Sequence, residues 1–377
     1  MSQENEVLLE VNNVHVDYLA SNGTVHAVRD VSFQLRRGEI LGLAGESGSG
    51  KSTLAYAIAR LLRPPALIAG GSVMYYPRLR EASGNGEQKL DLAPQNGRGG
   101  IDVLRLTPAQ LQNFRWQELS IVFQSAMNAL NPVLTVGTQI IDVLEAHQPG
   151  RSFHARKKRA MELLEIVGIA PERLNSFPHE LSGGMRQRVV IAIALALHPE
   201  LIIMDEPTTA LDVVVQREIL ELISSLCKEL GTSLIFITHD LSLLLELADE
   251  VAVMYAGRIV ERASQRALLE QPRHPYTYGL MNSFPTLHGP RRKMTGIPGS
   301  PPDLRNIADE CAFHERCPFA FAACQSVSPE LRIVVPEQPD QVAACHLYDS
   351  RLTMRQEIPN ASTFAQGYEH QGERSKV

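Results

Sequence analysis

A glycine-rich octapeptide is the part of the sequence whose residue types point most directly to chemistry. It fits the pattern G-x-x-x-x-G-K-[ST], lies between an apolar run and a helical segment at 50–62, and reads Gly45-Glu46-Ser47-Gly48-Ser49-Gly50-Lys51-Ser52. Glycines at this spacing let backbone N–H groups turn toward phosphate oxygens, and the helix N-terminus adds about half a positive charge. The pattern predicts a phosphate-binding loop, and a Gly/Ser turn before a helix is the simpler alternative.

The end of this loop supplies side chains with separate expected roles. Lys51 would contact the β- and γ-phosphates of a nucleoside triphosphate, Ser52 would place its hydroxyl on Mg²⁺, and Thr53 is a lesser polar neighbour. The remaining phosphate contacts would come from Gly45, Ser47, Gly48, Ser49 and Gly50.

Two adjacent carboxylates follow the apolar run 201–204, which reads as a buried strand. Asp205 is the expected anchor of Mg²⁺, because ligands of open α/β sheets bind at the carboxyl ends of the strands. Glu206 is the candidate base that accepts a proton from the attacking water, a role typically worth about 10² to 10⁴ in rate. Two carboxylates before a proline are also common at an ordinary strand exit.

Two further polar residues stand at strand ends. His239 follows the run 234–237, and Gln124 follows the run 121–123. Because parallel strands end at one edge of a sheet, both side chains are expected beside Asp205. His239 could then hydrogen-bond the γ-phosphate, and Gln124 could contact Mg²⁺ and the water. Alone, neither residue would indicate a function.

A second glycine-containing segment precedes an apolar helix at 189–197. Ser182 is suited to cap that helix, and the two glycines after it permit close backbone approach, in the sequence Leu181-Ser182-Gly183-Gly184-Met185. A chain needs only one such helix end to hold a nucleotide. The second therefore suggests contact with a nucleotide that another subunit holds.

Together these motifs resemble those of the ATP-binding-cassette (ABC) ATPases over about residues 8–270. They occur in the order of that family: the loop 45–52, Gln124, LSGGM at 181–185, Asp205-Glu206, Ala210-Leu211-Asp212 and His239. The resemblance implies a head-to-tail dimer in which 182–184 of one subunit covers ATP on the loop of the other. It also implies that Tyr18 stacks on adenine, although Tyr18 equally fits the apolar face of its own strand.

The elements that must position these residues belong to an α/β fold. Alternating residues at 14–18 and 31–36 indicate half-buried, antiparallel strands, whereas short apolar runs at 39–44, 201–204 and 234–237 indicate strands covered on both faces. We therefore expect a parallel-sheet P-loop core with an antiparallel β subdomain. An inserted helical subdomain is expected at about 115–185, and a hairpin at 251–261.

The domain boundaries follow changes in composition. We expect a nucleotide-binding domain at 1–271, a small cysteine-containing C-terminal extension at 272–350 and an unstructured tail at 351–377. Residues 77–100 are rich in Gly, Asn, Gln and charge and have no apolar period. They are expected to form a mobile surface loop without chemistry.

Three segments resemble the ATP-binding subunits of dipeptide and oligopeptide importers: Phe123–Pro132, His274-Pro275-Tyr276-Thr277 and Ile297–Pro302. This resemblance implies a second, related ATPase subunit as a heterodimer partner, two transmembrane permeases that dock on the helical subdomain, and an extracytoplasmic peptide-binding protein. Nickel or another small solute remains an alternative cargo, because other subunits choose it.

Four cysteines lie close together in the C-terminal extension, in the spacing Cys311-x5-Cys317-x6-Cys324-x20-Cys345. Structural zinc usually uses tighter pairs, so four loosely spaced thiolates favour a [4Fe–4S] cluster, which some members of the importer group contain. Zinc, with His314 or His346 replacing a thiolate, is the second interpretation. Reduced thiols that bind nothing are the third.

Composition limits the place of action. The chain has 36 Lys+Arg against 42 Asp+Glu, a net charge of −6, which gives no global attraction to nucleic acid. Its longest apolar run, 189–197, is about half of the ~20 residues that cross a bilayer, and the first ten residues lack the pattern of a secretion signal. We expect a peripheral protein on the cytoplasmic face of the membrane. A soluble cassette ATPase acting on nucleic acid or the ribosome is the alternative of another class.

Overall fold

The computed structural model describes residues 6–78, 99–124, 129–209, 211–283, 296–352 and 359–374. Most of the expected loop at 77–100 and Ala210 of the motif 210–212 therefore lie outside the described residues. The strands are β1 (Val7–Ala20), β2 (Gly23–Arg36), β3 (Ile40–Ala44), β4 (Ala66–Tyr75), β5 (Ile101–Asp102), β6 (Leu119–Val122), β7 (Leu201–Asp205), β8 (Ser233–Ile237), β9 (Glu250–Tyr255), β10 (Arg258–Ser264), β11 (Arg332–Ile333) and β12 (Val342–Ala343).

The helices lie mainly between these strands and cover the larger sheet. They are α1 (Lys51–Ile58), α2 (Pro108–Gln117), α3 (Val136–His147), α4 (Phe153–Ile166), α5 (Gly183–Ala194), α6 (Val213–Leu230), α7 (Leu241–Leu247), α8 (Gln265–Glu270), α9 (Pro275–Met281) and α10 (Ala361–Arg374). Within the described ranges, none of them is both long enough and apolar enough to span a bilayer.

The main sheet is mixed, in the order β11-β12-β10-β9-β3-β8-β7-β6. The strands from β9 to β6 pair in parallel, and β10, β12 and β11 add to one edge in antiparallel fashion. Every residue of β3, β7 and β8 is buried, as the short apolar runs predicted. The predicted hairpin is confirmed, since β9 and β10 pair antiparallel around Ala256 and Gly257, both of which have positive φ.

The second sheet is antiparallel, in the order β2-β1-β4-β5. On β1, the side chains of Leu9, Val11, Val14 and Val16 are buried in a core that the sheet shares with α1. This confirms the half-buried strands predicted from alternation. The chain thus has the α/β fold expected from the sequence, with an antiparallel subdomain beside the main sheet.

The helical part lies between β6 and β7. Helices α3 and α4 begin at capping residues Thr135 and Ser152, and their apolar faces meet around Ile140, Leu144 and Leu163. The expected range 115–185 also contains β6, which pairs with β7 in the main sheet. The helical part therefore begins after β6, because the run 119–122 is apolar enough to be covered on both faces.

Residues after 272 continue the main fold. Strand β12 pairs with β10, and Tyr276 and Phe313 are buried in the core of the main sheet.

The tail also departs from expectation. Helix α10 lies within the range expected to be unstructured, and that expectation is wrong for 361–374 because Phe364 and Tyr368 are one turn apart and both buried.

Candidate nucleotide site

The glycine-rich loop connects β3 to α1, and two of its glycines have no substitute. A Cβ on Gly45 would lie 2.2 Å from the carbonyl oxygen of Met254, and one on Gly50 would lie 2.4 Å from that of Ala27. Both glycines also have positive φ. No side chain caps the first turn of α1, so the loop and helix end present backbone N–H groups, as an anion site requires.

Lys51 is buried and held against the loop. Its Nζ donates hydrogen bonds to the carbonyl oxygens of Gly45 at 2.7 Å and Glu46 at 2.9 Å. Burial lowers the pKa of Lys51, although the nearby carboxylates of Glu206 and Asp205 oppose that shift. A buried ammonium beside backbone N–H groups is suited to a triphosphate.

Ser52 and Asp205 meet as a pair that fits Mg²⁺. The Ser52 hydroxyl donates a 3.0 Å hydrogen bond to Oδ1 of Asp205. Asp205 is fully buried, and its Oδ2 has no hydrogen-bond partner among the described residues. Burial raises the pKa of Asp205. Hydroxyl and carboxylate oxygens are the protein ligands that Mg²⁺ takes, with phosphate and water completing its shell.

Glu206 is surrounded by three polar side chains. Its Oε2 accepts hydrogen bonds from Gln124 Nε2 and Thr209 Oγ1, each at 3.0 Å, and its Oε1 lies 3.2 Å from His239 Nδ1. The structure therefore brings together the three residues that the sequence analysis placed at strand ends. It also adds Thr209, a hydroxyl three residues after Glu206 that the sequence analysis did not single out.

The backbone at Glu206 is unusual. Its φ is +47°, in the left-handed region, and its N–H donates to the carbonyl oxygen of Ile237 at 2.9 Å. Non-glycine residues in this conformation cost about 1–3 kcal/mol and cluster at functional sites. The strand exit thus aims the carboxylate of Glu206 at the edge where His239 follows β8.

Two tyrosines border the loop. Tyr18 is partly exposed, unlike Val14 and Val16 on the same strand, and its hydroxyl lies 3.3 Å from Thr53 Oγ1. Stacking of Tyr18 on adenine remains a prediction. Tyr56, which the sequence analysis missed, lies beside Asp205, and burial together with that carboxylate raises its pKa. Its ring contacts Phe123 at a centroid distance of 5.8 Å.

The second glycine segment has the expected local structure. Ser182 is exposed and caps α5, accepting a 3.3 Å hydrogen bond from the N–H of Met185. A Cβ on Gly184 would lie 2.6 Å from Val215 Cγ1 of α6, so glycine allows the two helices to approach. The contact of Ser182 and Gly183 with a partner's nucleotide remains a prediction.

The four cysteines do not form the predicted metal site. In the described part of the chain, no three His, Cys, Asp or Glu side chains are grouped so as to hold a metal ion. Cys345 packs with Leu347 and Phe364, whereas Cys311 and Cys317 pack against the core of the main sheet. Cys324 is buried as well. The four thiols therefore lie in one region of the fold, but they are not grouped as the ligands of one metal centre.

Burial and neighbouring thiols raise the pKa of two of these cysteines. The pKa of Cys311 is raised to about 11, by burial first and then by Cys324, and that of Cys345 is raised by burial first and then by Cys317.

Each of the two histidines has one ring nitrogen on a backbone carbonyl oxygen: His314 Nδ1 lies 2.9 Å from that of Cys311, and His346 Nε2 lies 2.8 Å from that of Val327. The structure supports neither the [4Fe–4S] cluster nor the zinc alternative, and we derive no chemistry from either.

Two protein-family models match this chain. The family model described as ABC transporter matches residues 28–209. A second model, described as the C-terminal region of oligopeptide/dipeptide transporters, matches residues 260–324.

Individual relatives extend the similarity over most of the chain. The oligopeptide transport ATP-binding protein OppD of Bacillus subtilis is 47% identical over 318 residues, which are 83% of this chain and 82% of that protein. The dipeptide transport ATP-binding protein DppD of Bacillus subtilis is 40% identical over 349 residues, 92% of this chain and 96% of that protein. The solved dimer of the ATP-binding cassette MJ0796 with ADP and Pi superposes with a TM-score of 0.56 at 27% identity, over 69% of this chain and 99% of that chain.

Proposed function

The chain belongs to the family of ATP-binding proteins of oligopeptide and dipeptide ABC transporters, and from this premise we propose that it hydrolyses ATP to power the import of short peptides. The observation that carries the proposal is the set of three polar side chains, Gln124, Thr209 and His239, around the carboxylate of Glu206. This set stands next to a glycine-rich loop that is open to a triphosphate.

The chemistry follows from the positions of these groups. The loop N–H groups and Lys51 bind the phosphates, and Ser52 and Asp205 would hold Mg²⁺, which neutralises charge on the β- and γ-phosphates. Glu206 takes the proton of the attacking water. Gln124 and Thr209 keep its carboxylate in place, and His239, beside the same carboxylate, would hydrogen-bond the γ-phosphate.

ATP also acts as a link between subunits. Ser182 and the glycines after it form an exposed helix end, which covers the nucleotide of a second, related ATPase subunit. The solved dimer of the cassette MJ0796 is a relative with two such subunits. Loss of the γ-phosphate removes the bridging charge, so hydrolysis opens the interface.

The helical part has a surface suited to the membrane subunits. Among its described residues, the exposed large apolar side chains are Val133, Phe153, Met161 and Phe177. Exposed apolar side chains are available for burial against a partner. We assign this face to two transmembrane permeases, which hold the chain at the cytoplasmic face of the membrane and receive peptide from an extracytoplasmic binding protein.

The transport proposal is tested by reconstitution. The chain is assembled with two permeases and a second ATPase of a peptide importer, in proteoliposomes with ATP inside and the binding protein with labelled di- to pentapeptides outside. Peptide should accumulate with the parent and not with Glu206→Gln. Accumulation of nickel in place of peptide would contradict the proposal that peptides are the cargo, but not the proposal that the chain hydrolyses ATP. Hydrolysis of ATP without transport of either solute would contradict the proposed import function.

A further inference from the structure

A side chain of the C-terminal region reaches the phosphate-binding loop. Arg316 donates two hydrogen bonds to the carboxylate of Glu46, from Nη1 to Oε2 at 2.7 Å and from Nη2 to Oε1 at 2.9 Å. Glu46 is the second residue of the loop, and the two residues are 270 positions apart in the chain. A two-armed contact of this kind fixes both the position and the orientation of a carboxylate.

Arg316 is itself held firmly. Only 5% of its side chain is exposed. Its Nε donates to the carbonyl oxygen of Pro298 at 2.8 Å, and Nη1 also donates to the Tyr255 hydroxyl at 3.2 Å. The guanidinium lies over the rings of Tyr255 and Phe313, 5.7 and 5.9 Å from their centroids. Each of its three nitrogens thus has a partner, and the charge is positioned before any nucleotide binds.

A second contact holds the backbone of the same loop residue. The N–H of Glu46 donates a 2.8 Å hydrogen bond to the hydroxyl of Tyr276, which is fully buried on α9. Tyr276 packs against Tyr255 and Phe313, with ring centroids 4.6 and 5.4 Å apart. Residues of the C-terminal region therefore bind both the side chain and the backbone N–H of Glu46: Arg316 contacts the carboxylate, and Tyr276 accepts from the N–H.

Glu46 adds a negative charge next to the site for a triphosphate, so the loop would repel its own ligand without a neighbouring cation. Its carbonyl oxygen also helps to hold Lys51, so a shift of Glu46 would move the ammonium that binds the phosphates. We propose that Arg316 is a positioning residue through which the C-terminal region neutralises and orients the phosphate-binding loop, so that the affinity for ATP depends on this region. The inference rests on the nucleotide site proposed above and is independent of the transported cargo.

The test compares the affinities of full-length variants for a fluorescent ATP analogue, on a Glu206→Gln background so that nucleotide is not consumed. Arg316→Met should weaken binding roughly tenfold, because it leaves an uncompensated carboxylate beside the phosphates. Glu46→Gln should bind the analogue at least as tightly as the parent, because it removes the carboxylate that repels the phosphates, and adding it to Arg316→Met should restore most of the lost affinity. With Glu206 intact, Arg316→Met should raise KM for ATP much more than it lowers kcat.

Arg351→Met is the matched control, since Arg351 also makes a two-armed contact with a carboxylate, from Nε and Nη2 to Asp349, but its side chain is 80% exposed. Arg351→Met should bind the fluorescent ATP analogue with the affinity of the parent. Parental affinity in Arg316→Met, or a loss that Glu46→Gln does not relieve, would contradict the inference. Should Arg316→Met not fold, Arg316→Lys replaces it: it keeps the charge but loses the two-armed contact, so the affinity should fall by about threefold or more, and parental affinity would contradict the positioning role. A parent that binds no analogue would instead contradict the nucleotide site.

Discussion

The side-chain amide of Gln124 donates a 3.0 Å hydrogen bond to the carboxylate of Glu206, although the two residues are 82 positions apart. They meet because β6 and β7 are neighbouring parallel strands that end at the same edge of the main sheet. Gln124 also stands where the chain leaves the sheet toward the helical part. The carboxylate that we propose as the base is therefore connected to the part of the molecule that we assign to the permeases.

Replacement of the proposed base should separate hydrolysis from binding. Glu206→Gln keeps the size of the side chain but removes its ability to take a proton, so the steady-state rate of phosphate release should fall by about 10² or more. The affinity for a fluorescent ATP analogue should stay within about threefold of the parent.

The control for that variant is Glu221→Gln, because Glu221 is an exposed member of an ordinary surface pair with Arg217. It should hydrolyse ATP at the parental rate. Equal rates in Glu206→Gln and the control would exclude Glu206 as the base.

The exposed cap of α5 should be required for assembly around ATP. Ser182→Asp keeps a good helix-capping residue. In the arrangement that we propose, it also turns a negative charge toward the triphosphate held by the other subunit. On the Glu206→Gln background, ATP-dependent association with the partner ATPase, measured by light scattering, should weaken roughly tenfold or more, whereas ATP binding to the isolated chain should persist.

Ser152→Asp is matched to it, because Ser152 caps α4 in the same way, accepting a 3.3 Å hydrogen bond from the N–H of Ala155. This control should associate as the parent does. An undiminished association of Ser182→Asp would contradict the head-to-tail arrangement.

Much of the nucleotide site could be predicted because its pieces are local in sequence. A buried run, a glycine-rich turn and a helix specify the loop 45–52, and the carboxyl ends of parallel strands must bring Asp205, Glu206 and His239 to one edge. The alternation of apolar residues likewise predicted β1 and β2, since one face of that sheet is packed on a core.

Contacts between remote side chains could not be read in this way. The pair of Glu46 and Arg316 depends on how the C-terminal region folds onto the main sheet, which no local pattern encodes. The cysteines show that spacing in the sequence can also mislead. Their spacing predicted one shared metal centre, but Cys311 and Cys345 pack in different apolar clusters. Helix α10 was missed because its sequence is mostly polar and its order comes from docking Phe364.

A buried histidine should make stability depend on pH. Burial lowers the pKa of His274 to about 3, and its Nδ1 caps α9 by accepting a 3.1 Å hydrogen bond from the N–H of Tyr276, which requires that nitrogen to be unprotonated. In the unfolded chain its pKa is near 6.5, so the unfolded state binds more protons between these values and stability is lost as pH falls below about 6.5. From pH 7.5 to 5.5 this group should remove about 1.4 kcal/mol from the free energy of unfolding.

His274→Asn keeps a capping side chain without that titration. Urea unfolding at the two pH values should therefore show a loss about 1.4 kcal/mol smaller in the variant than in the parent. Buried Glu261 has a raised pKa and contributes in the opposite direction, but it is present in both proteins and cancels in the comparison. Identical losses in parent and variant would mean that His274 is charged in the fold.

Helix α10 should contribute to stability through one aromatic side chain. Phe364 has no exposed surface, and it packs against Tyr278 and Phe319 with ring centroids 5.9 and 5.5 Å away. Phe364→Ala should lower the free energy of unfolding by about 3 kcal/mol, because it removes a buried ring and leaves a cavity. Gln366→Ala, at an exposed position of the same helix, should change it by less than about 0.5 kcal/mol. Equal urea midpoints for the two variants would show that the helix does not dock on this region in solution.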